Sequence, residues 1–542
     1  MARRAGKGGA AILTGVPMLA RLLVAATLSL AVAWAGAAAS TLGYDHARHL
    51  LARTGFGPTD AEVRTFAALT REQAVARLLR ETVKVATTTT PVWVTDTGPL
   101  RAPRGDTATA EEREAFQQQR VRQGLELRAW WLQEMLVTPS PLTERMTLFW
   151  HNHFVSSAQK VRFARLMYAQ NATLRAHAVG NFASLLRAAS KDPAMLIYLD
   201  VAQSRRGQPN ENFAREVMEL FTLGEGHYTE QDIKEAARAF TGWSLDRETG
   251  EYLFRRGLHD PGTKVVLGKS GRFDGDAVLD LILARPQTAQ FIAAKLWREF
   301  VSADPDPREI ARIAQIFRGQ DYDLKAALHA LLLAPAFWAA ENRGTLVKSP
   351  VELVVGTVRQ LEAAPGSALP FAVVVAGMGQ NLFAPPNVKG WPGGDAWINT
   401  STLLARKQFL DRFARADDES PVMMTPATVA ARAETSVRGI AQDSLSPARA
   451  APNAASTSGV DDDKVRAMRF LRQTDRAISS IRFDAARWVA QRSGASTRAK
   501  MQSAQALLLP LPAVLAMAST ATDADAPSFV RATLLDPAYQ LK

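Results

Sequence analysis

The sequence predicts a mainly α protein, a large multi-helix orthogonal bundle with little or no sheet. Apolar residues recur at three- and four-residue spacing over most of the chain, which is typical of amphipathic helices. Proline and glycine fall mostly between these segments, where they mark turns. Few segments alternate apolar and polar residues with a period of two, the pattern that favours strands. With 542 residues, of which 47% are apolar and 22% charged, the chain has the composition of a globular protein with a large core.

The periodic segments give the predicted helices in chain order. These are residues 62–79, 111–136, 142–149, 178–189, 212–223, 230–240, 277–283, 288–301, 307–317, 324–333 and 351–361. One short hairpin is predicted to pair residues 251–255 with 264–267. Three Pro-Ala steps, at Pro193, Pro335 and Pro537, each follow a Leu-rich helix, and proline suits the first turn of the helix that follows. Where an aspartate precedes the proline, at Asp192 and Asp536, it is predicted to cap that helix.

Composition divides the chain into four regions. Residues 1–39 are predicted to be a signal peptide and residues 44–415 the main helical domain. Residues 416–463, rich in Ala, Ser, Thr, Pro and Asp, are predicted to be a flexible linker, since they offer too little apolar surface to fold. Residues 464–542 are helical again and are expected to dock on the main domain. Residues 87–107 are predicted to form an exposed insertion.

The first residues predict export. A basic start is followed by an apolar run at 22–39 that ends in small residues, so cleavage after Ala37 or Ala39 fits a signal peptidase. The protein is therefore expected to be periplasmic or secreted, with a mature chain that begins near Ala38 or Ser40. In the alternative, the run stays uncleaved and anchors the protein, since it is just long enough to span a membrane.

Cysteine usage and charge exclude several classes of function. The chain has no cysteine, which rules out disulfides, thiolate zinc sites and cysteine nucleophiles. The net charge is +12, and the four basic residues of segment 1–39 account for 4 of it, leaving +8. No nucleic-acid module and no basic stripe interleaved with aromatic residues is present, so no nucleic-acid partner is expected. Phosphate-binding loops, the Gly-x-Ser-x-Gly elbow and the His-Glu-x-x-His helix are also missing.

His151 and His153 form a His-x-His pair and are the predicted metal ligands, for a divalent ion. Residues two apart on a helix point about 200° away from each other, so they share an ion only if the helix breaks near Trp150. In an extended chain, positions i and i+2 face the same way. The alternative is an aromatic-rich core in which each imidazole is satisfied by a carboxylate or a carbonyl.

The second candidate cluster lies in the segment from residue 210 to residue 220. Helical spacing places Asn212, Glu216 and Glu219 on one face, with Arg215 beside them. These four are the predicted catalytic residues. The two carboxylates could bind a metal, act as base and acid, or pair with nearby basic residues, and Arg215 would steady developing negative charge. We also expect His151 or His153 to lie close to Glu216 or Glu219, because a carboxylate beside apolar surface needs a partner. In the alternative, the segment is an amphipathic helix with a solvated face.

The remaining candidates are predicted substrate-binding residues, namely His227, His259, Asp260, Trp391 and Trp397. His227 follows a short Gly-rich turn, which should bring it near the end of the Glu216 helix. His259 and Asp260 begin a Pro-Gly turn that could equally be stabilised by the Asp side chain alone. The two tryptophans lie in a rigid aromatic loop, which either lines a pocket or plugs the core. Asp232, three residues after Thr229, is predicted to complete a capping box.

Several long blocks make the chain resemble the uncharacterised family called domain of unknown function 1800. They are HLLARTGFGP at 49–58, LTERMTLFWHNHF at 142–154, QPNENFAREVMELFTLG at 208–224, YTEQD at 228–232, AFTGW at 239–243, HDPG at 259–262 and PPNVKGWPG at 385–393. The resemblance spans about residues 44–413 and implies an exported helical protein. It implies no reaction. It does imply a partner, an exported protein resembling sulfatases and alkaline phosphatases that is encoded near family members.

Two functions are compatible with these residues. The first is an exported metal- or carboxylate-dependent enzyme of hydrolase type, and it is favoured because clustered carboxylates and imidazoles are costly to bury unless they are used. The second is a non-catalytic binding or assembly protein in which the same residues fix the packing of helices.

Overall fold

The computed structural model describes residues 40–96, 98, 100, 108–415, 476, 478, 481, 483–514 and 525–542. The predicted signal peptide and the predicted linker lie outside the described residues, as does part of the predicted insertion. The part of that insertion that is described is mostly exposed and is fastened by the buried Glu134, whose carboxylate accepts hydrogen bonds from the Thr87 and Thr88 amides at 2.9 and 2.7 Å.

The prediction of a mainly α, multi-helix protein is confirmed. The helices are α1 Gly43–Thr54, α2 Asp60–Ala67, α3 Arg71–Arg80, α4 Ala110–Val137, α5 Pro141–His153, α6 Ala158–Val161, α7 Ala164–His177, α8 Phe182–Ser190, α9 Pro193–Tyr198, α10 Glu211–Glu219, α11 Glu230–Ala239, α12 Gly275–Ala284, α13 Pro286–Phe300, α14 Pro307–Gly319, α15 Leu324–Leu332, α16 Pro335–Trp338, α17 Pro350–Gln360, α18 Leu369–Gly377, α19 Thr400–Ala414, α20 Ala485–Ala490, α21 Thr497–Leu508 and α22 Ala526–Leu535. Short 3-10 turns occur at Val92–Thr95, Val201–Gln203, Arg256–Leu258, Ala340–Asn342, Gly394–Trp397 and Pro537–Gln540.

The predicted helix 62–79 is two helices, α2 and α3. Thr70 interrupts the run, because its side chain accepts a hydrogen bond from the Gln73 amide at 3.2 Å. The Gln73 side chain in turn accepts from the Thr70 amide at 3.0 Å. This capping box starts a new helix, although the apolar spacing continues across it.

Both strands of the predicted hairpin form, but they do not pair with each other. Strand β1 Trp243–Leu245 pairs with β2 Tyr252–Phe254, and β3 Lys264–Val266 pairs with β4 Lys269–Gly271. Each strand finds its partner across a short local turn. In the second hairpin the turn is Leu267–Gly268, and both residues have positive φ, as the tight turns between antiparallel strands require.

Helix α5 is the central helix of the core. Every residue from Leu142 to Leu148 is buried, although helices at a protein surface bury only one stripe. Its indole at Trp150 donates to the carbonyl of Ala178 at 2.8 Å, just before α8. Because α5 is surrounded, its polar residues must find partners within the protein.

Three ion pairs satisfy the charges of Glu144 and Arg145 on α5. The Arg175 guanidinium of α7 donates to both oxygens of Glu144, at 2.6 and 2.9 Å, and the Trp131 indole donates to the same carboxylate at 2.8 Å. Arg145 bridges Glu299 of α13, at 2.5 Å, and Glu352 of α17. A buried pair of this kind fixes the packing of the helices that it joins, since either charge left alone is costly.

The turn between α1 and α2 packs directly on α17 through glycines. A Cβ added to Gly356 would lie 2.6 Å from the carbonyl oxygen of Phe56, and one added to Gly57 would lie 3.0 Å from the Gly356 Cα. Gly57 also has φ +95°, which favours glycine. Gly57, in the block at 49–58, therefore allows the backbone of this turn to pack closely against the backbone of α17.

The last residues of the chain pack against the main body. Leu541 forms a β-bridge with Val347, and the buried Tyr539 hydroxyl lies 2.9 Å from the Thr357 hydroxyl of α17. The Trp488 indole of α20 donates to the Gln360 carbonyl at 3.1 Å. The C-terminal helices and the main helices thus share one core.

The predicted helix caps are confirmed. The Asp192 side chain accepts from the Ala194 and Met195 amides, and Asp536 accepts from the Ala538 amide. Thr229 and Asp232 form a capping box at the start of α11. Within the described part of the chain, no helix is both long enough and apolar enough to cross a membrane.

Candidate functional site

The His-x-His pair lies on unbroken helix. Helix α5 continues through Trp150 to His153, so the break that would let the two imidazoles converge does not occur. Residues two apart on a helix diverge by about 200°. The rings accordingly contact different parts of the protein.

His151 is enclosed by aromatic rings. It is 1% exposed, and its ring lies 5.2, 5.3 and 5.7 Å from the rings of Trp131, Phe383 and Trp391. Its Nε2 accepts a hydrogen bond from the Phe383 amide at 3.2 Å. Burial lowers the pKa of His151 to about 3, so the ring is neutral with its proton on Nδ1. The lone pair that a metal would need is thus engaged by a backbone amide.

His153 forms hydrogen bonds through both ring nitrogens. Its Nε2 lies 3.0 Å from the carbonyl oxygen of Phe221, and its Nδ1 lies 3.0 Å from Nζ of Lys295 on α13. The carbonyl can only accept, so Nε2 carries the proton and Nδ1 accepts from the ammonium. Burial, followed by the charge of Lys295, lowers the pKa of His153 well below its usual value. Burial also lowers the pKa of Lys295, to about 8.

The blocks around α5 and α10 meet at a backbone group. The contact runs from His153 to the carbonyl of Phe221, two residues after Glu219. The hydrogen bonds of His151 and His153 do not involve Glu216 or Glu219, because α5 contacts the residues that follow α10, so the expected contact of imidazole and carboxylate stays a prediction. The Glu219 carboxylate accepts instead from the Tyr228 hydroxyl, at 2.8 Å.

Helix α10 is held by one apolar face. Phe213 and Val217 are buried, and the Phe213 ring contacts Phe240 at 4.9 Å, edge to face. At the start of the helix, the Asn210 side chain accepts from the Asn212 amide at 2.9 Å. Asn210 therefore has a capping role, and Asn212 is exposed.

Arg215 is paired with α11. Its guanidinium donates to both oxygens of Glu230, at 2.7 and 2.8 Å, and lies 3.7 Å from Glu211. The pair is largely exposed, so it adds little stability. It does direct Arg215 toward Glu230, and the predicted role in steadying negative charge stays untested.

Glu216 and Glu219 form a half-buried acidic pair on consecutive turns of α10. Burial raises the pKa of Glu216, and the charge of Glu219 raises it further. The cations Arg215 and Lys389 act in the opposite direction. Burial and the hydrogen bond to Glu219 also raise the pKa of Tyr228. Burial and the neighbouring carboxylate thus favour the protonated form of Glu216 more than in an isolated carboxyl group, which is the direction that suits a general acid.

The other predicted binding residues are dispersed. His227 is exposed, and the neighbouring Tyr228 is the residue that reaches the acidic pair. The Nδ1 of His259 lies 2.9 Å from the carbonyl oxygen of Thr241. Asp260 pairs with Arg238 at 2.8 Å and accepts from the Gly262 amide at 2.9 Å, which is the turn-stabilising alternative.

The aromatic loop is a plug. Trp391 is 4% exposed and Trp397 is 8% exposed, so neither ring offers a face to a ligand. Asn152 of α5 holds the loop, since it accepts from the Trp391 amide at 2.7 Å and donates to the Trp391 carbonyl at 3.2 Å. A Cβ on Gly390 would lie 2.2 Å from the Asn152 side chain, so this clamp requires glycine there. The prediction of substrate binding by these tryptophans gains no support.

The predicted metal ligands do not form a metal site. Among the residues that the structure describes, no group of three or more His, Asp or Glu side chains could hold an ion. Nε2 of His151 and both ring nitrogens of His153 already have protein partners. The predicted divalent ion therefore has no support from the geometry.

Four residues that contact or influence the candidate residues were not predicted from the sequence as individual candidates, namely Tyr228, Asn152, Lys295 and Lys389. The first two lie within the blocks that were singled out, directly after His227 and between the two histidines, so proximity to those candidates was the available signal. Lys295 lies in an ordinary amphipathic helix, and nothing in its surroundings distinguishes it.

Comparison with known proteins gives the family and no activity. The model of the family described as "Protein of unknown function (DUF1800)" matches residues 49–540. No curated protein and no solved structure matches the chain. The match spans the main helices and the C-terminal helices alike. The chain therefore belongs to the DUF1800 family.

Proposed function

We propose that this protein is an exported, carboxylate-dependent enzyme of hydrolase type, with Glu216 as general acid and Glu219 as general base. The observation that carries the proposal is the half-buried pair itself, in which burial and the neighbouring carboxylate raise the pKa of Glu216. A carboxyl group whose pKa is raised, with a second carboxyl group one turn away, provides the two groups that acid–base catalysis requires. Export rests on the basic, then apolar, start of the sequence.

The two carboxyl groups can complete a hydrolysis. Glu219, oriented by the Tyr228 hydroxyl, accepts a proton from water while the water oxygen bonds to the electrophilic centre of the substrate. The bond to the leaving oxygen breaks, and Glu216 donates its proton to that oxygen. Proton exchange with solvent restores both groups. The exposed Lys389, whose charge is felt by Glu216, is placed to attract an anionic substrate or developing negative charge.

Gln substitutions at the acidic pair test this proposal. Purified protein is assayed with p-nitrophenyl esters, glycosides and phosphates, together with the Glu216→Gln and Glu219→Gln variants. Each variant is expected to lose about 100-fold or more of the hydrolysis seen with the active class of substrate, the usual contribution of a general acid or base. Glu225→Gln is the matched control, because Glu225 is an exposed carboxylate shortly after the same helix.

The alternative is a binding or assembly protein, and the polar residues of α5 favour it, since the side chains of Glu144, Arg145, Asn152 and His153 all hold the fold together. No turnover in any of the three classes would support that alternative against the enzyme, and equal activity of Glu216→Gln and Glu225→Gln would contradict the role given to Glu216. Metal analysis of the same preparations separates the carboxylate mechanism from a metal-dependent one. A stoichiometric metal that is lost on changing His151 and His153 would contradict the former.

A further inference from the structure

A small cavity between α1, α17 and the last residues of the chain is lined by an excess of cations. Arg48, Lys348 and Lys542 line it, and Glu352 is the acidic residue among the lining side chains. The cavity measures about 20 Å³, which is space for about one water-sized species. The glycines of the α1–α2 turn and Gly356 complete its wall.

Glu352, the acidic residue of the cavity wall, is already paired with other cations. It bonds to Arg145 and to the Lys542 ammonium, and Arg145 also pairs with Glu299. These two carboxylates and two cations balance each other. The charge of Asp45 acts on Arg48 without an ion pair between the two side chains among the described residues.

Arg48 and Lys348 lack a carboxylate partner in the described part of the chain. Arg48 is 5% exposed, its Nη2 reaches the Pro510 carbonyl only at 3.4 Å, and its buried Nε has no hydrogen-bond partner. The Lys348 ammonium lies 3.8 Å from the centre of the Tyr539 ring. That ring attracts a cation without cancelling its charge.

Burial lowers the pKa of both cations, that of Lys348 to about 7 and that of Arg48 to about 10. Arg53 and Arg406, both buried, add further positive charge in the surroundings of Glu352. Burying uncompensated charge is expensive, so such a group of cations favours the uptake of an anion.

We propose that this cavity binds a chloride-sized inorganic anion between Arg48 and Lys348. The cavity size excludes large ligands, and its charge excludes cations. The site is separate from the acidic pair of α10 and does not depend on the proposed hydrolase activity. An anion here joins α1 to the residues that begin α17 and to the C-terminal segment, so it acts on the stability of the whole fold.

Thermal unfolding of the full chain at constant ionic strength tests this site. Sodium bromide replaces sodium gluconate stepwise, because gluconate is too large for the cavity. The unfolding midpoint of the wild type is expected to rise and saturate with bromide. Lys348→Met and Arg48→Met are expected to lose the saturable rise, and Lys234→Met, an exposed position on α11, should keep it.

A wild-type midpoint that does not respond to bromide would overturn the proposal, as would a response in Lys348→Met equal to that of the wild type. If either methionine variant fails to fold, crystals of the wild type soaked in bromide decide the matter. An anomalous peak in contact with the Lys348 ammonium and the Arg48 guanidinium supports the site. A cavity without such a peak refutes it.

Discussion

At the scale of single residues, helix α5 shows how a polar motif can be used for packing. His151 accepts from the Phe383 amide, Asn152 clamps the backbone of Trp391, and His153 joins Phe221 to Lys295. Each partner lies far along the chain from α5. These polar side chains therefore have hydrogen-bond partners within the protein core, where an unpaired polar group would cost free energy.

The buried His151 should make the protein sensitive to acid. Its pKa is about 3 in the folded protein and near 6.5 when unfolded, so below pH 6.5 the unfolded chain takes up a proton that the folded protein refuses. The stability due to the neutral ring is thus present at pH 7 and is lost as the pH falls toward 3. His151→Gln, which keeps an acceptor for the Phe383 amide, removes this term.

Denaturant unfolding at pH 7 and pH 5 measures that effect. Between these values the wild type is expected to lose about 2 kcal/mol more free energy of unfolding than His151→Gln. The exposed His227→Gln variant should follow the wild type, because that imidazole is solvated in both states. Parallel curves for the wild type and His151→Gln would show that the ring is not buried as described.

At the scale of elements, helices form where apolar spacing and capping agree. Residues 111–136 were predicted from spacing and are observed as α4, Ala110–Val137, which begins at a capping box formed by Thr109 and Glu112. Residues 62–79 show the limit of spacing, since the cap at Thr70 divides an apolar pattern that runs on unbroken. Caps involve single side chains, so they are easily hidden within a longer periodic run.

The contact between the α1–α2 turn and α17 predicts that alanine in place of Gly356 destabilises the protein. Gly356→Ala places a methyl group 2.6 Å from the Phe56 carbonyl oxygen, so the free energy of unfolding should fall by about 1–3 kcal/mol. Gly319→Ala at the end of α14 meets nothing within 4 Å and should instead stabilise the protein by about 0.4–1 kcal/mol. Chemical denaturation of both variants measures the difference. An equal gain in stability would mean that the two backbones are not in contact.

At the scale of the whole molecule, the C-terminal residues pack into the same core as the first described helix. The segment around Tyr539 and Leu541 lies against α17, and Arg531 of α22 pairs with Asp411 of α19 at 2.5 Å. The C-terminal helices thus cover apolar surface of the main helices. Neither part can bury its surface fully without the other.

A cut between the two parts should therefore leave them associated. A protease site is introduced within residues 416–463, the predicted linker. Once it has been cut, the two fragments are expected to elute together and unfold in a single transition. Trp488→Ala removes the indole that bonds to Gln360 and should weaken the association of the cut fragments. A C-terminal fragment that elutes separately, while the main fragment keeps the stability of the uncut protein, would contradict a shared core.

The sequence by itself determined the helical class, the bounds of several helices such as 111–136 and 230–240, the caps at Asp192, Thr229 and Asp536, and the positions of the motif blocks, because these depend on neighbours within a few residues. The tertiary structure alone decided which blocks meet. His153 contacts Phe221, Arg145 joins Glu299 to Glu352, and Arg48 and Lys348 face one cavity. Spacing cannot reveal these contacts, since packing brings together residues that chain distance does not relate. For the same reason, the acidic pair on α10 was predictable from spacing, whereas its hydrogen bond to Tyr228 depends on how the chain turns back after Gly226.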